Sequence, residues 1–493
     1  MHQFALPRGI VKYPVFMQLL IPLSRRGQPL FRQLYAGLRK AILDGALSKG
    51  EKLPSTRALA EQLGVSRTAV LMAYEQLLAE GFAIGRAGSG TYVSKAVERR
   101  SKTTVQDSAK IALSRFGVAA CGAARTIHVP SQASRPHNYD FAFGVSDIEL
   151  FPFEAWRRIL QRCARQTRVA QLDYAPAAGS LALRSAICSH LRRSRAVVCD
   201  PEQVIIVNGS QQALDLIARV FIEPGDKVAI EDPSYQGTRE VLRAAGAHLV
   251  PVSVDRDGVD PNRLPARVRL VFVTPSHQFP TGAILPMERR FTLLAWAKRA
   301  RALIVEDDYD GEFYYEGQPI ESLQGLDSEG RVIYVGTFSR TIFSALRIGY
   351  LIAPKALVET LSAAKWLCDR HTATLEQETL SEFITSGLYE RYLRRVRRRN
   401  LSRRAALLDS IRLFIGERAE VSGDRAGAHI VLWPRRRISE TQAIREAHAR
   451  GIHIYGLAPY HIAHPRRTGL LLGYSRLPER EIREGIRRLA EIL

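Results

Sequence analysis

Gly336-Thr337-Phe338-Ser339-Arg340-Thr341, followed by Ala345-Leu346-Arg347-Ile348-Gly349-Tyr350, is the stretch on which the reading of this chain turns. It continues from the apolar run 332–335, one of a series that includes 204–207, 227–230, 270–273 and 303–305. Helical stretches separate these runs. Short continuous apolar strands between helices imply a parallel sheet covered on both faces. From Asn138 onward the chain is therefore expected to be α/β. Arg340 stands out within it: a guanidinium stays protonated at any working pH and offers no free amine to an aldehyde.

The chain has 493 residues, too many for one ordinary core, so two or three domains are expected. A formal charge of +22 suits a polyanionic partner, because basic surface gains affinity by releasing counterions from phosphate backbones. The five cysteines (Cys121, Cys163, Cys188, Cys199 and Cys368) are scattered without a CxxC pair. That pattern argues against a zinc site or any other metal and against a disulfide framework, and it suits a reducing cytoplasm. Arg8 and Lys12 flank an apolar run too short to span a membrane, and nothing else approaches the roughly 18 apolar residues required. A cytoplasmic protein with no membrane partner is expected.

Three regions differ in texture. Residues 18–94 carry a compact helical pattern that ends in a Gly-rich hairpin. Residues 95–137 are polar and charged and read as a linker with some helical content. Residues 138–493 hold the α/β pattern, which gives way after about Trp366 to a long amphipathic helix and a smaller α+β unit.

In the first region, 30–47 reads as a helix with Leu30, Leu34, Leu38 and Ile42 on one face. Pro54-Ser55 opens a second helix that runs to Gly64. Ser66 caps a third, whose Val70, Tyr74, Leu77 and Leu78 are expected to face inward. Two short helices across a tight glycine turn make a helix-turn-helix, and 82–84 with 91–93 make a wing. The words Leu53-Pro54-Ser55-Thr56-Arg57, Leu63-Gly64-Val65-Ser66-Arg67-Thr68 and Gly88-Ser89-Gly90-Thr91-Tyr92-Val93 closely resemble the GntR-type winged helix-turn-helix. The resemblance implies that double-stranded DNA is the partner and that Arg57, Arg67 and Thr68 face it. It also implies that Ser55 and Ser66 cap helices or touch phosphate, and that Arg86 reaches toward the minor groove.

The larger region carries phosphate- and ring-binding elements in order. Asn208-Gly209-Ser210-Gln211 follows an apolar run and opens a helix, and amides at a helix N-terminus with Ser210 beside them form an anion cup. Tyr235, in Glu231-Asp232-Pro233-Ser234-Tyr235, could stack on a flat ring, although such a tyrosine by itself is more often core than ligand. In Ile304-Val305-Glu306-Asp307-Asp308-Tyr309 a strand runs into carboxylates at the edge where open sheets bind ligands. The bland alternative is two solvated acids and a helix cap. Against it stands Thr274-Pro275-Ser276-His277-Gln278-Phe279-Pro280-Thr281-Gly282, which echoes a loop of pyridoxal-phosphate (PLP) enzymes.

As a set, these words resemble the MocR subgroup of GntR regulators, in which a winged helix is fused to a fold-type I aminotransferase-like domain. In that fold type Ser-Lys-Thr carries the cofactor lysine, with an arginine seven residues later; here the lysine position holds Arg340 and the later arginine is Arg347. The resemblance implies a mostly parallel sheet covered by helices, with PLP as cofactor. Asp307 would lie on its pyridine nitrogen, Tyr309 near its phenolic oxygen and Tyr235 near the ring, while Ser210, Gln211, Ser339 and Arg347 would hold the phosphate. Tyr174, in Asp173-Tyr174, would enter the site of a partner, which implies a homodimer. His429 matches another family word, and Arg466 or Arg467 could clamp a substrate carboxylate. The basic run 392–400 reads mainly as a solvated face.

Arg340 leaves three readings. The chain is a ligand-responsive DNA-binding regulator that holds PLP or a related effector non-covalently and has no catalytic residues. Alternatively it is a working aminotransferase with a DNA-binding appendix, although neither Lys355 nor Lys365 has the context for the cofactor lysine. Thirdly, the body is a ligand-free dimerisation scaffold for a repressor. The first is the expectation carried forward.

Overall fold

The computed structural model describes residues 22–24, 27–96, 112–126, 138–166, 173–315, 321–463 and 467–493. The chain divides into two compact units, with the boundary between Ala112 and Leu113.

The first unit contains α1 (Leu30–Leu43), α2 (Thr56–Leu63), α3 (Arg67–Ala79) and the antiparallel pair β1 (Ala83–Arg86) and β2 (Gly90–Val93). Leu34, Leu38 and Ile42 of α1 meet Leu59, Val70, Tyr74 and Leu77 in one core. Ser55 Oγ accepts from the amide of Ala58 and Ser66 Oγ from that of Ala69, each at 3.2 Å, so both serines cap helices. Gly64 turns the chain between α2 and α3 at φ +64°, where a side chain would be strained. Two expectations need correction. Helix α1 stops at Leu43 rather than Leu47, because the chain turns through Gly45 at φ +78°, although Leu47 is still buried. Leu78 is 38% exposed: Leu77 takes the core position, and an adjacent residue points about 100° away.

In the second unit, α4 (Arg115–Thr126) lies in the stretch read as a linker and packs on α8 (Gln236–Ala244), with Arg219 5.6 Å from the centroid of the Phe116 ring. Residues 97–111 and 127–137 lie outside the described residues. The main sheet has the order β4-β11-β10-β9-β8-β5-β6-β7. Its strands are β4 (Val204–Val207), β5 (Lys227–Asp232), β6 (His248–Asp255), β7 (Gly258–Val259), β8 (Leu270–Val273), β9 (Leu303–Asp308), β10 (Val332–Thr337) and β11 (Gly349–Ile352). The run β10-β9-β8-β5-β6 is parallel. Strand β11 lies antiparallel between β10 and β4. The sequence reading missed β11 as a strand because its four residues follow a functional word rather than a helix.

Both faces are covered. Val204 and Ile206 pack with Leu183 and Leu191 of α6 (Leu181–Ser194), Trp156 of α5 (Phe153–Gln166) and Phe383 of α12 (Thr374–Thr385). Ile205 and Val207 point the other way, onto Leu214 and Ile217 of α7 (Ser210–Phe221) and Leu361 of α11 (Val358–Asp369). Further along the sheet, Val271 and Ile304 meet Leu293 and Trp296 of α9 (Met287–Ala300), with α10 (Leu323–Leu326) alongside. The long helix α13 (Leu388–Phe414) joins two cores: Tyr392 and Val396 pack on the main sheet, and Leu407 and Ile411 on the smaller one. That smaller sheet has the order β12-β13-β16-β15, from β12 (Ala419–Ser422), β13 (His429–Pro434), β15 (Tyr455–Gly456) and β16 (Leu470–Gly473). A short pair, β3 (Tyr139–Asp140) and β14 (Ile452–His453), and helices α14 (Glu440–Ala449) and α15 (Glu479–Leu489) complete it. Among the described residues no helix is long and apolar enough to cross a membrane.

The basic run on α13 is less solvated than expected. Arg397 pairs with Glu312 at 2.7 Å and Arg399 with Asp147 at 3.4 Å, while Arg394, Arg395 and Arg398 remain exposed.

A candidate ligand pocket and a nucleic-acid interface

Strand register assembles the pocket. Thr337 pairs with Gly349 and Gly349 with Val207, so the segments beyond them (Phe338 to Arg340, Arg347-Ile348 and Asn208-Gly209) meet at one edge of the sheet. Asp307 comes to the same edge beside Val335.

Gly209 holds φ +83° and precedes α7, whose first amides face outward. Arg347, itself at φ +52°, donates from Nη2 to the carbonyl of Asn208 at 2.8 Å. A Cβ on Gly209 would lie 2.8 Å from that nitrogen, so only glycine lets the arginine come so close. The hydroxyls of Ser210 and Ser339 make no hydrogen bond among the described residues, and Gln211 Nε2 donates to the carbonyl of Gly237 at 3.3 Å. From behind, Asp369 accepts from Asn208 and Gln212, each at 2.7 Å. Buried Lys365 pairs with Asp369, which commits its charge there, and exposed Lys355 pairs with Asp200 at 2.8 Å.

Around Asp307 this edge is acidic and buried. Asp307 and Asp308 are both buried, which disposes of the alternative of two solvated acids. Asp308 is taken by Arg195 at 2.8 Å and by the hydroxyl of Tyr334. Each keeps a buried Oδ1 with no hydrogen-bond partner, and Asp307, unlike Asp308, makes no side-chain hydrogen bond or ion pair among the described residues. Burial first, and then the charge of Asp308, pushes its carboxyl up to about 7, with Arg340 pulling the other way. Tyr309 Oη lies 3.0 Å from Nδ1 of His277, which also meets Asp310 at 3.0 Å. Burial raises the Tyr309 phenol well above its ordinary range, so it serves as a neutral donor. Tyr235 stands edge-on to Phe279 at 6.0 Å. Among the described residues the guanidinium of Arg340 has no hydrogen bond or ion pair. It lies against Gly144, where a Cβ would collide with it, and its charge is felt by Asp307, Tyr309, Tyr235 and His429.

His277, Asp310 and His429 bring ligand-type atoms within 4.8 Å of one another, all buried. His277 Nδ1 is already shared between Tyr309 and Asp310. His429 Nε2 donates to the carbonyl of Pro280 at 3.2 Å, and burial with His277 alongside keeps it neutral. His277 lies in the word 274–282 but carries no expected role from sequence, and the Asp310 dyad has no signal there beyond its closeness to Tyr309. It also missed Arg195, which a helix-end arginine gives no way to foresee. Tyr174 is not part of its own chain's pocket. It is 73% exposed, under Arg370 at 4.7 Å and edge-on to His371. Arg467 pairs with Glu420 at 2.6 Å and lies over Trp433, and Arg466 lies outside the described residues.

In the first unit, Arg57, Arg67 and Thr68 are exposed at the starts of α2 and α3, and Arg67 Nε donates to Thr56 Oγ1 at 3.4 Å. Arg86 stacks over Tyr92 of the wing at 4.6 Å.

Residues 30–93 match the bacterial regulatory proteins of the gntR family, and residues 140–468 match aminotransferase class I and II. The chain is 38% identical to the probable rhizopine catabolism regulatory protein MocR of Rhizobium meliloti, across 94% of this chain and 93% of that one. It belongs to the MocR-type regulators of the gntR family. Other MocR-type relatives include the pyridoxine biosynthesis transcriptional regulator PdxR of Corynebacterium glutamicum, 31% identical over 92% of this chain and 93% of that one. Among solved structures, Pyrococcus horikoshii kynurenine aminotransferase aligns with a TM-score of 0.69 at 27% identity, covering 75% of this chain and 95% of that one. This MocR-type protein is a DNA-binding transcription regulator whose larger unit has the fold-type I aminotransferase architecture, a fold that generally binds PLP.

Proposed function

We propose that this regulator acts as a homodimer whose aminotransferase-like unit binds PLP, or a closely related phosphorylated ring, without a covalent link. Arg340 then stands where a catalytic relative has its lysine, and transamination is absent. The observation that carries this reading is the unpartnered Oδ1 of Asp307: a dry carboxylate oxygen suited to a pyridinium N–H, at the same sheet edge as the anion cup. When bound, the cofactor supplies a protonated, electron-withdrawing ring. Asp307 holds the proton on the ring nitrogen, and Tyr309 donates to the phenolic oxygen while His277 fixes its hydroxyl. Tyr235 covers the ring, and Ser210, Gln211, Ser339 and Arg347 take the phosphate. Tyr174, exposed on its own chain, reaches the partner's pocket. In the first unit Arg57, Arg67 and Thr68 contact the major groove and Arg86 the minor groove, with the capped helices held by Ser55 and Ser66.

An absorbance titration with PLP, with borohydride trapping, tests this in the natural protein and in Arg340→Lys. The expected result is reversible binding in the natural protein and a trapped yellow adduct in the variant. Failure of both to bind would leave the body a scaffold or the site of a different effector. A trapped adduct in the natural protein would mean that another lysine serves.

A further inference from the structure

We propose that Arg340 sets the ligand class of this pocket: phosphorylated rings whose remaining substituents are anionic or carbonyl-bearing are accepted, and their amine-bearing counterparts are refused. This rests on the reading that the pocket takes a phosphorylated pyridine. Such a ligand is anchored at two ends, by Arg347 and the start of α7 on one side and by Asp307 on the other. Its other substituents then share the space bounded by Tyr309, Phe279, Gly144 and Arg340. Of the acids nearby, Asp310 faces His277 and Asp308 Oδ2 is held by Arg195 and Tyr334, while Asp308 Oδ1 is buried without a partner. Arg340 is half-buried and brings up to five N–H donors with no acceptor among the described residues. Donors withdrawn from water need an acceptor, which a carboxylate or carbonyl provides and an ammonium does not. Two like charges in such a half-buried space repel enough to give discrimination on the order of a hundredfold.

The test is calorimetric titration of the full chain with pyridoxal 5'-phosphate, pyridoxamine 5'-phosphate and the 4-carboxylate analogue, which cannot form a covalent adduct. Arg340→Met and Arg340→Gln are titrated in parallel, each first shown by circular dichroism and thermal unfolding to fold as the natural protein does. The natural chain is expected to bind the carboxylate and the aldehyde about a hundredfold more tightly than the amine, and both variants to compress that gap to within about tenfold. Equal binding of the amine and the carboxylate by the natural chain overturns the inference while leaving the PLP-site reading intact. So does a preference that survives unchanged in both variants. If none of the three phosphates binds the natural chain, the PLP-site reading falls and takes this inference with it.

Discussion

Replacing Asp307 with asparagine should stabilise the ligand-free protein in alkaline solution while destroying the pocket. The carboxyl is 9% exposed, lacks a partner for Oδ1 and is pushed up to about 7, against an ordinary 3.8. Ionising it in the fold therefore costs roughly 4 kcal/mol, a little over three pH units at about 1.36 kcal/mol each. Because the folded value is the higher one, the folded state holds the proton more tightly than the unfolded chain does. Its favourable contribution is complete below the unfolded value of 3.8 and is lost as the pH rises through about 7. Asparagine cannot ionise, but it leaves an unpaired amide that costs about 1–3 kcal/mol. Asp307→Asn should thus be more stable than the natural chain by about 1–3 kcal/mol near pH 8, and level with it or less stable near pH 5. Urea unfolding followed by tryptophan fluorescence at several pH values measures both. Glu231 and Glu306 are also pushed up to about 7 by burial; Glu231 lies close enough to raise the Asp307 carboxyl, so losing the Asp307 charge eases its ionisation and adds to the variant's gain in alkaline solution. PLP should restore stability to the natural chain at pH 8 and do little for the variant. A difference that does not vary with pH, or a natural chain that is the more stable at pH 8, would refute the reasoning.

Gly209→Ala places a Cβ 2.8 Å from Arg347 Nη2 and strains a backbone at φ +83° by about 1–2 kcal/mol, so PLP affinity should fall at least about tenfold in a fluorescence titration while the DNA-binding unit is untouched. Arg67→Ala and Arg57→Ala should each weaken DNA binding by fluorescence anisotropy; if the lost contact is to phosphate, the salt slope falls by about 0.9. Tyr174→Phe should weaken PLP binding in the homodimer, and mixing it with Arg347→Ala chains should recover intact sites in heterodimers. No recovery on mixing would place Tyr174 outside the shared site.

The legible parts of this chain are those in which one physical cause dominates. Helix capping at Ser55 and Ser66, the turn at Gly64 and the twofold-covered strands each follow from local chemistry or from a run of apolar residues. So does the sheet edge at Asp307, because strands ending in carboxylates announce themselves. What escaped was set by contacts distant in sequence. Whether Leu77 or Leu78 enters the core depends on the rotation of α3 against α1. The antiparallel placement of β11 depends on a turn through Arg347 in a left-handed conformation that its residue type does not advertise. Arg195 reaches Asp308 across 113 residues, and it is this pairing that frees Asp307 to be the unpartnered acid. The sequence displayed two adjacent aspartates; only the fold shows that one is paired with an arginine and the other with no side chain.

The same separation bears on how occupancy could be read. A ligand shifts an equilibrium only by its differential affinity for two states, and moving a population from 1:99 to 99:1 needs about 5.5 kcal/mol. If the ligand is held without a covalent bond, as proposed, that difference must come from side chains whose surroundings change on binding. Arg340 is suited to this by its backbone as well as its charge. Ser146 Oγ donates to the carbonyls of Ser339 and Arg340 at 3.1 and 3.0 Å, and Gly144 lies under the guanidinium. Those two residues lie just after β3, within the larger unit. A ligand that draws the Arg340 side chain toward itself would change its packing on Gly144. Arg347 is instead held by Asn208, which Asp369 braces in turn. Phosphate capture can supply affinity, while a change in the packing of Arg340 on Gly144 is one contact that would differ between the empty and the occupied pocket.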